Sequence, residues 1–126
     1  MGRPVHFEIH GTDPEKLVAF YGDLFGWTFQ RHGQEDYWLA STGDGPGIDG
    51  AITTRRGPPP AAGGPVSGAT IVMEVQDIDA AWGRGLHLGG KSAMEKMPVP
   101  GVGWAAYQID PDGNVFGIFQ NDEEAQ

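Results

Sequence analysis

The sequence predicts an α+β protein built from two copies of one βαβββ module. Three observations carry that prediction. Val5-His6-Phe7-Glu8-Ile9-His10 alternates apolar and polar residues with the period of two that marks a half-buried strand. Asp13-Pro14-Glu15 follows it with a cap residue, a proline at the first helical position and an acidic first turn. Shifted by 64 positions, the chain repeats itself: Asp13 falls on Asp77, Leu24 on Leu88 and Gly26 on Gly90, with strand, cap and helix in the same order.

The elements can be taken in order. Strand 5–10 puts His6, Glu8 and His10 on its polar face. A helix over about 14–25 carries Leu17, Phe20, Tyr21 and Leu24 at helical spacing and stops at Gly26. Phe20, Tyr21, Leu24 and Phe25 are expected in the core, and Trp27 between helix and sheet. Trp27-Thr28-Phe29, Tyr37-Trp38-Leu39-Ala40 and Ala51-Ile52-Thr53-Thr54 read as three further strands. Module 1 therefore covers about 4–56. Residues 57–68 are too rich in Pro and Gly for a helix or a sheet ladder and form a linker. Module 2, about 69–121, restarts with strand 70–75, the cap Asp77 and a helix through Ala81, Trp82 and Leu88. Gly83 and Gly85 each weaken that helix by about 1 kcal/mol relative to Ala. Strands near 91–96, 104–109 and 115–119 complete it, and Asp-Glu-Glu at the end reads as a frayed tail.

Composition excludes several classes. A length of 126 residues suits one domain made of both modules. The 17 acidic residues against 8 basic ones leave a net charge of −9, and Arg55-Arg56 is the only basic pair. Nucleic acid and anionic membranes need a basic face, so neither is an expected partner. With no Cys there is no disulfide, thiolate zinc site or cysteine nucleophile. The N-terminus has no signal-peptide hydrophobic region and no apolar run suits a membrane span, so a cytoplasmic location is expected. Two glycine patterns, 45–50 and 101–106, match a dinucleotide fingerprint loosely, but neither opens a helix after a strand. Asp110-Pro111-Asp112-Gly113 lacks the further oxygens of a calcium loop and reads as a tight turn before the last strand. Ser41, Ser67 and Ser92 lack a nucleophile elbow.

Val5-His6-Phe7-Glu8-Ile9, Asp13-Pro14-Glu15, Ala19-Phe20-Tyr21, Leu24-Phe25-Gly26-Trp27 and Glu74-Val75-Gln76-Asp77-Ile78-Asp79-Ala80-Ala81 together resemble the vicinal-oxygen-chelate superfamily. This is the group of glyoxalase I, bleomycin-resistance proteins and extradiol dioxygenases. Asp110-Pro111-Asp112-Gly113-Asn114-Val115-Phe116-Gly117 is the most specific stretch, and the branch it looks closest to is the small one related to lactoylglutathione lyase. The resemblance covers nearly the whole chain. It implies curved mixed sheets that enclose a cup, with helices outside and a divalent metal held by side chains of the first and last strands of each module. It also implies a homodimer, by analogy.

The family's metal positions fall on His6, Thr70, Gly117 and the strand 50–56. His6 suits a metal. Thr70 is a poor ligand, Gly117 has no side chain, and 50–56 holds no His, Asp or Glu, with Asp49 just outside it. A catalytic divalent site normally takes at least three protein ligands. Metal-dependent dioxygenase or glyoxalase chemistry by the family route is therefore not expected, and no cofactor is expected beyond a metal held through an altered ligand set around His6.

Two functions follow. The first is a bleomycin-resistance-like binder that takes a small molecule without metal. The second is a glyoxalase-type lyase or isomerase, using an altered metal site or His6 and Glu8 as a metal-free acid–base pair. His10, Trp38, Thr70, Trp104 and the Gly117 position are the expected ligand contacts, since aromatic walls stack on flat ligands. Tyr37 is a further large aromatic on a strand, Trp82 reads as helix-to-sheet packing, and His32 and His87 as surface residues.

Overall fold

The computed structural model describes residues 2–62 and 68–126, so residues 63–67 of the expected linker lie outside the described residues. The chain divides into two compact units, His6–Ala69 and Met1–Val5 with Thr70–Gln126. Each carries one βαβββ set, as the sequence predicts.

The first unit holds β1 (Pro4–Gly11) from His6 onward, α1 (Pro14–Phe25), β2 (Thr28–Arg31), β3 (Tyr37–Ser41) and β4 (Asp49–Thr54). Its strand order is β2-β3-β4-β1. β1 runs parallel to β4, and the other pairs are antiparallel. A parallel pair needs a crossover, and α1 with β2 and β3 supplies it. Register then fixes two faces. Phe7 sits opposite Gly50 and Ile9 opposite Ile52, with Trp38 and Ala40 on the same side of β3.

On that side Trp27 joins α1 to the sheet. Its ring stacks on Tyr21 at 5.2 Å and lies 5.5 Å from Phe7 and 6.4 Å from Phe29. Gly50 is needed here, because a Cβ would sit 2.5 Å from the Phe7 ring. The helix ends as expected at Gly26, whose φ of 75° is the left-handed cap that glycine favours.

Asp13 is the N-cap of α1 as the sequence predicts, without a side-chain cap hydrogen bond, and its carbonyl accepts from the Lys16 N–H at 3.1 Å. One expectation for α1 fails. Phe20, Leu24 and Phe25 are not core: they are 55%, 59% and 59% exposed. Leu17 and Tyr21 are half-buried, whereas the stripe at 20, 24 and 25 stays exposed on the helix surface.

The second unit holds β5 (Ala69–Glu74) from Thr70 onward, α2 (Ile78–His87), β6 (Lys91–Val99), β7 (Gly103–Ile109) and β8 (Val115–Asn121), ordered β5-β8-β7-β6. β5 is parallel to β8 and the other pairs are antiparallel. Ile78, Ala106 and Ile118 form the buried core under α2, with Trp82, Trp104 and Phe116 packed against it. Asp77 caps α2 by accepting from the Ala80 N–H at 3.0 Å, and the Gln120 side chain accepts from the Ile78 N–H at 2.9 Å.

Gly85 explains the odd composition of that helix. The buried Gln108 donates from Nε2 to the Trp82 carbonyl at 2.9 Å, and a Cβ at position 85 would collide with its Oε1. The helix gives up propensity to admit a buried amide.

Asp110-Pro111-Asp112-Gly113 is the turn the sequence predicts. Its Asp110 carboxylate accepts from the Asn114 backbone N–H at 2.9 Å, the Asn114 side-chain amide at 3.0 Å and the Asp112 N–H at 2.9 Å, and these bonds hold the carboxyl below the usual value. The tail is not frayed. Ala125 is fully buried, and its carbonyl accepts from the Gly101 N–H at 2.9 Å while Asp122 N–H donates to Val102.

Candidate functional site

The candidate residues lie on the face of the first unit's sheet that points away from the Phe7–Trp27 side. His6 lies opposite Asp49 and Glu8 opposite Ala51 across the parallel β1–β4 pair. Leu39 lies opposite Ala51 and Tyr37 opposite Thr53 across the antiparallel pair. Alternation therefore sets His6, Glu8 and His10 on one side with Asp49, Ala51, Thr53, Tyr37 and Leu39. Ala51 is fully buried and offers only a methyl group. That small residue lets the Tyr37 side chain lean across β4 to β1.

The result is a hydrogen-bonded chain. The Tyr37 hydroxyl donates to Glu8 Oε2 at 2.8 Å, and His6 Nε2 lies 3.0 Å from the same hydroxyl. Glu8 is 7% exposed. A buried carboxylate needs hydrogen-bond donors, and Tyr37 is one of them. Desolvation lowers the His6 pKa from its ordinary 6.5, while the charges of Glu8 and Asp49 oppose that shift without cancelling it. Burial therefore favours the uncharged form of the His6 imidazole.

Beside His6 the sheet forms an open recess of about 400 Å³, walled by Thr28, Gln30, Leu39, Ser41 and Asp49. These side chains follow directly from register, since Thr28 pairs with Ser41 and Gln30 with Leu39. Among the described residues, no Lys or Arg lines the recess. Asp49 is oriented by the Thr42 N–H, which donates to its Oδ1 at 2.8 Å.

His6 and Glu8, singled out from the sequence, are thus brought together, and the residue that joins them is Tyr37. Sequence reasoning placed Tyr37 on a strand without a role. His10 lies on the same side of β1 as His6 and Glu8, and lines a different recess with Arg55 and Lys16. Trp38 points to the helix side, with Arg31 5.6 Å from its ring and its Nε1 donating to Asp36 at 3.1 Å.

In the second unit Thr70 is buried. Trp104 packs on the core under α2 and donates to Asp122 at 3.0 Å, with Lys96 over its ring at 4.9 Å. Gly117 lies between Val72 and Tyr107 in register, and a Cβ there would sit 2.9 Å from each side chain.

A domain of two βαβββ modules with a histidine on the polar face of its first strand defines the class. The chain belongs to the Glyoxalase/Bleomycin resistance protein/Dioxygenase superfamily, whose family model matches residues 3–118. Among solved structures, it is similar to a superfamily member from Vibrio splendidus 12B01, at 19% identity over 96% of this chain and 100% of that chain, with a TM-score of 0.67. It is also similar to methylmalonyl-CoA epimerase from Mycobacterium tuberculosis, at 16% identity over 96% of this chain and 88% of that one, with a TM-score of 0.69. The Mn(II)-bound glyoxalase from Novosphingobium aromaticivorans is matched at 19% identity over 98% of this chain and 39% of that one, with a TM-score of 0.59. At these identities the likeness shows the fold. No protein of the curated set matches the chain.

Metal-binding relatives invite a test of the donors. Among the described residues, no group of three or more His, Asp or Glu side chains is placed to hold a metal ion. The side-chain space at Gly117 is taken by Tyr107 and Val72, and His6 Nε2 is engaged by Tyr37. These residues do not fit the family's metal.

Proposed function

We propose that this protein is a glyoxalase-like small-molecule binder of the bleomycin-resistance kind that works without a metal. The recess beside His6 carries this reading: its walls mix the apolar Leu39 with polar groups from Thr28, Gln30, Ser41 and Asp49, the composition of a small-ligand site. With the Asp49 carboxylate and no Lys or Arg among the described residues of its lining, it suits a neutral or cationic ligand better than an anionic one. A thermal-shift screen of chelator-treated protein against aromatic and cationic metabolites tests it. Ligand at about a hundredfold its Kd stabilises by about 2.7 kcal/mol, so a true ligand raises Tm by several degrees, and His6→Ala loses that rise. A protein unmoved by every compound contradicts the reading.

The hydrogen-bonded chain favours a second reading, a lyase or isomerase with His6 as base and Glu8 holding its partner in place. Turnover of a glyoxalase-type substrate that survives chelator and falls at least tenfold in Glu8→Gln supports it. Turnover that appears only with an added divalent ion contradicts it.

The proposed assembly is a homodimer, on family habit and on the exposed apolar residues of α1, and the proposed location is the cytoplasm. Among the described residues, no helix is long and apolar enough to cross a membrane.

A further inference from the structure

We propose that the recess at the start of α1 is a second binding site, one that takes a small apolar monocarboxylate. It lies within the first unit, where the ends of β1 and β4 meet the first turn of α1, and offers about 510 Å³. Among the described residues it shares no wall with the recess beside His6, so it stands apart from the binding reading above.

Its charge is opposite to that of the molecule. The chain has 17 acidic residues against 8 Lys and Arg, whereas the described lining sets Lys16 and Arg55 against one carboxylate, Asp13. Among the described residues neither cation forms an ion pair. Arg55 is fixed where the chain leaves β4: its backbone N–H donates to the Gly11 carbonyl at 2.8 Å and its Nη2 to the His10 carbonyl at 2.9 Å. Its Nε is buried without a hydrogen-bond partner, although such groups are nearly always paired. A guanidinium held by one side-chain hydrogen bond and given no counter-charge is stabilised by an anion beside it, and the two oxygens of a carboxylate match its donor geometry.

The other walls set the rest of the ligand. Ile9, Leu17 and Tyr21 are half-buried and give the recess an apolar side for a ring or short alkyl chain. Lys16 and Arg55 less Asp13 leave one net positive charge. A monocarboxylate balances it, whereas a phosphate monoester carries about −1.5 to −2 at neutral pH and overshoots.

Amide NMR titration of the ¹⁵N-labelled protein with benzoate tests the proposal. Saturable shifts are expected at Gly11, Lys16, Leu17 and Arg55, with benzylamine, a cation of similar shape, leaving those amides unmoved. Acetate, which lacks the ring, and phenyl phosphate are both expected to bind more weakly than benzoate. Arg55→Gln, checked for folding by its amide spectrum, is expected to raise the benzoate Kd about tenfold. Lys16 is exposed, so Lys16→Gln is expected to keep the fold and raise Kd severalfold. Asp13→Asn removes a carboxylate that makes no cap hydrogen bond and is expected to lower Kd, a change of opposite sign that a structural role would not produce. Benzoate shifts that do not saturate, that fall on His6, Leu39 and Asp49 instead, or that benzylamine reproduces at the same amides overturn the proposal. An unchanged Kd in both Lys16→Gln and Asp13→Asn overturns it as well, and that pair decides where Arg55→Gln does not fold. Tighter binding of phenyl phosphate than of benzoate overturns the assignment to a monocarboxylate.

Discussion

Gly117 and His6 stand where the family resemblance places metal ligands. At Gly117 the place of a family metal ligand is filled by the Tyr107 ring and Val72, each 2.9 Å from where a Cβ would stand. Overpacking of this kind costs about 1–3 kcal/mol. Gly117→Asp is therefore expected to destabilise the fold by that amount in urea denaturation and to gain no metal affinity by calorimetry. His6 gives a second prediction. Burial holds its pKa below 6.5, so between its folded pKa and 6.5 the unfolded chain binds more protons than the native one. Its contribution to stability is complete above pH 6.5 and is lost as pH falls through the folded value. Urea midpoints measured across that range are expected to fall more steeply for the wild type than for His6→Gln. At this scale the alternation of residues 5–10 made His6 and Glu8 legible. Tyr37 was not, because its contact with them depends on how β3, β4 and β1 stand in register, which no local pattern records.

Among the elements, α2 shows most plainly how tertiary structure overrides propensity. Its glycines look like defects in the sequence, yet Gly85 makes room for a buried glutamine. Gly85→Ala gains about 1 kcal/mol of helix propensity, but it forces Gln108 out of its place at a cost of about 1–3 kcal/mol. The net expectation is a lower Tm, measured by circular dichroism, and a rise would show that Gln108 adapts freely. Helix α1 was legible in its start, its end and its glycine cap, all local signals. The burial of its aromatics was not, since a 3.6-residue period identifies an apolar stripe and not the width of the sheet beneath it. The C-terminal tail was misjudged for a similar reason: its polar residues read as frayed, while one small side chain, Ala125, is buried against the β6–β7 turn. Deleting residues 122–126 is expected to lower Tm by several degrees, through the lost burial and the lost Trp104–Asp122 hydrogen bond.

For the whole molecule, the repeat and the family motifs sufficed to identify the superfamily, because they combine many weak signals over residues 3–118. The ligand is beyond such signals, since the relatives that share this fold include proteins described as an epimerase and a Mn(II)-bound glyoxalase. The proposed homodimer is expected to sediment at twice the mass of the chain, and Phe25→Glu on the exposed face of α1 to shift it toward monomer. The proposed function is the binding of a small molecule, without a metal, in the recess beside His6. Its most direct test is amide NMR mapping of a thermal-shift hit on chelator-treated protein. Saturable shifts centred on His6, Leu39, Ser41 and Asp49 are expected in the absence of any divalent ion. Shifts that appear only after a metal is added, or that leave β1, β3 and β4 untouched, would contradict it.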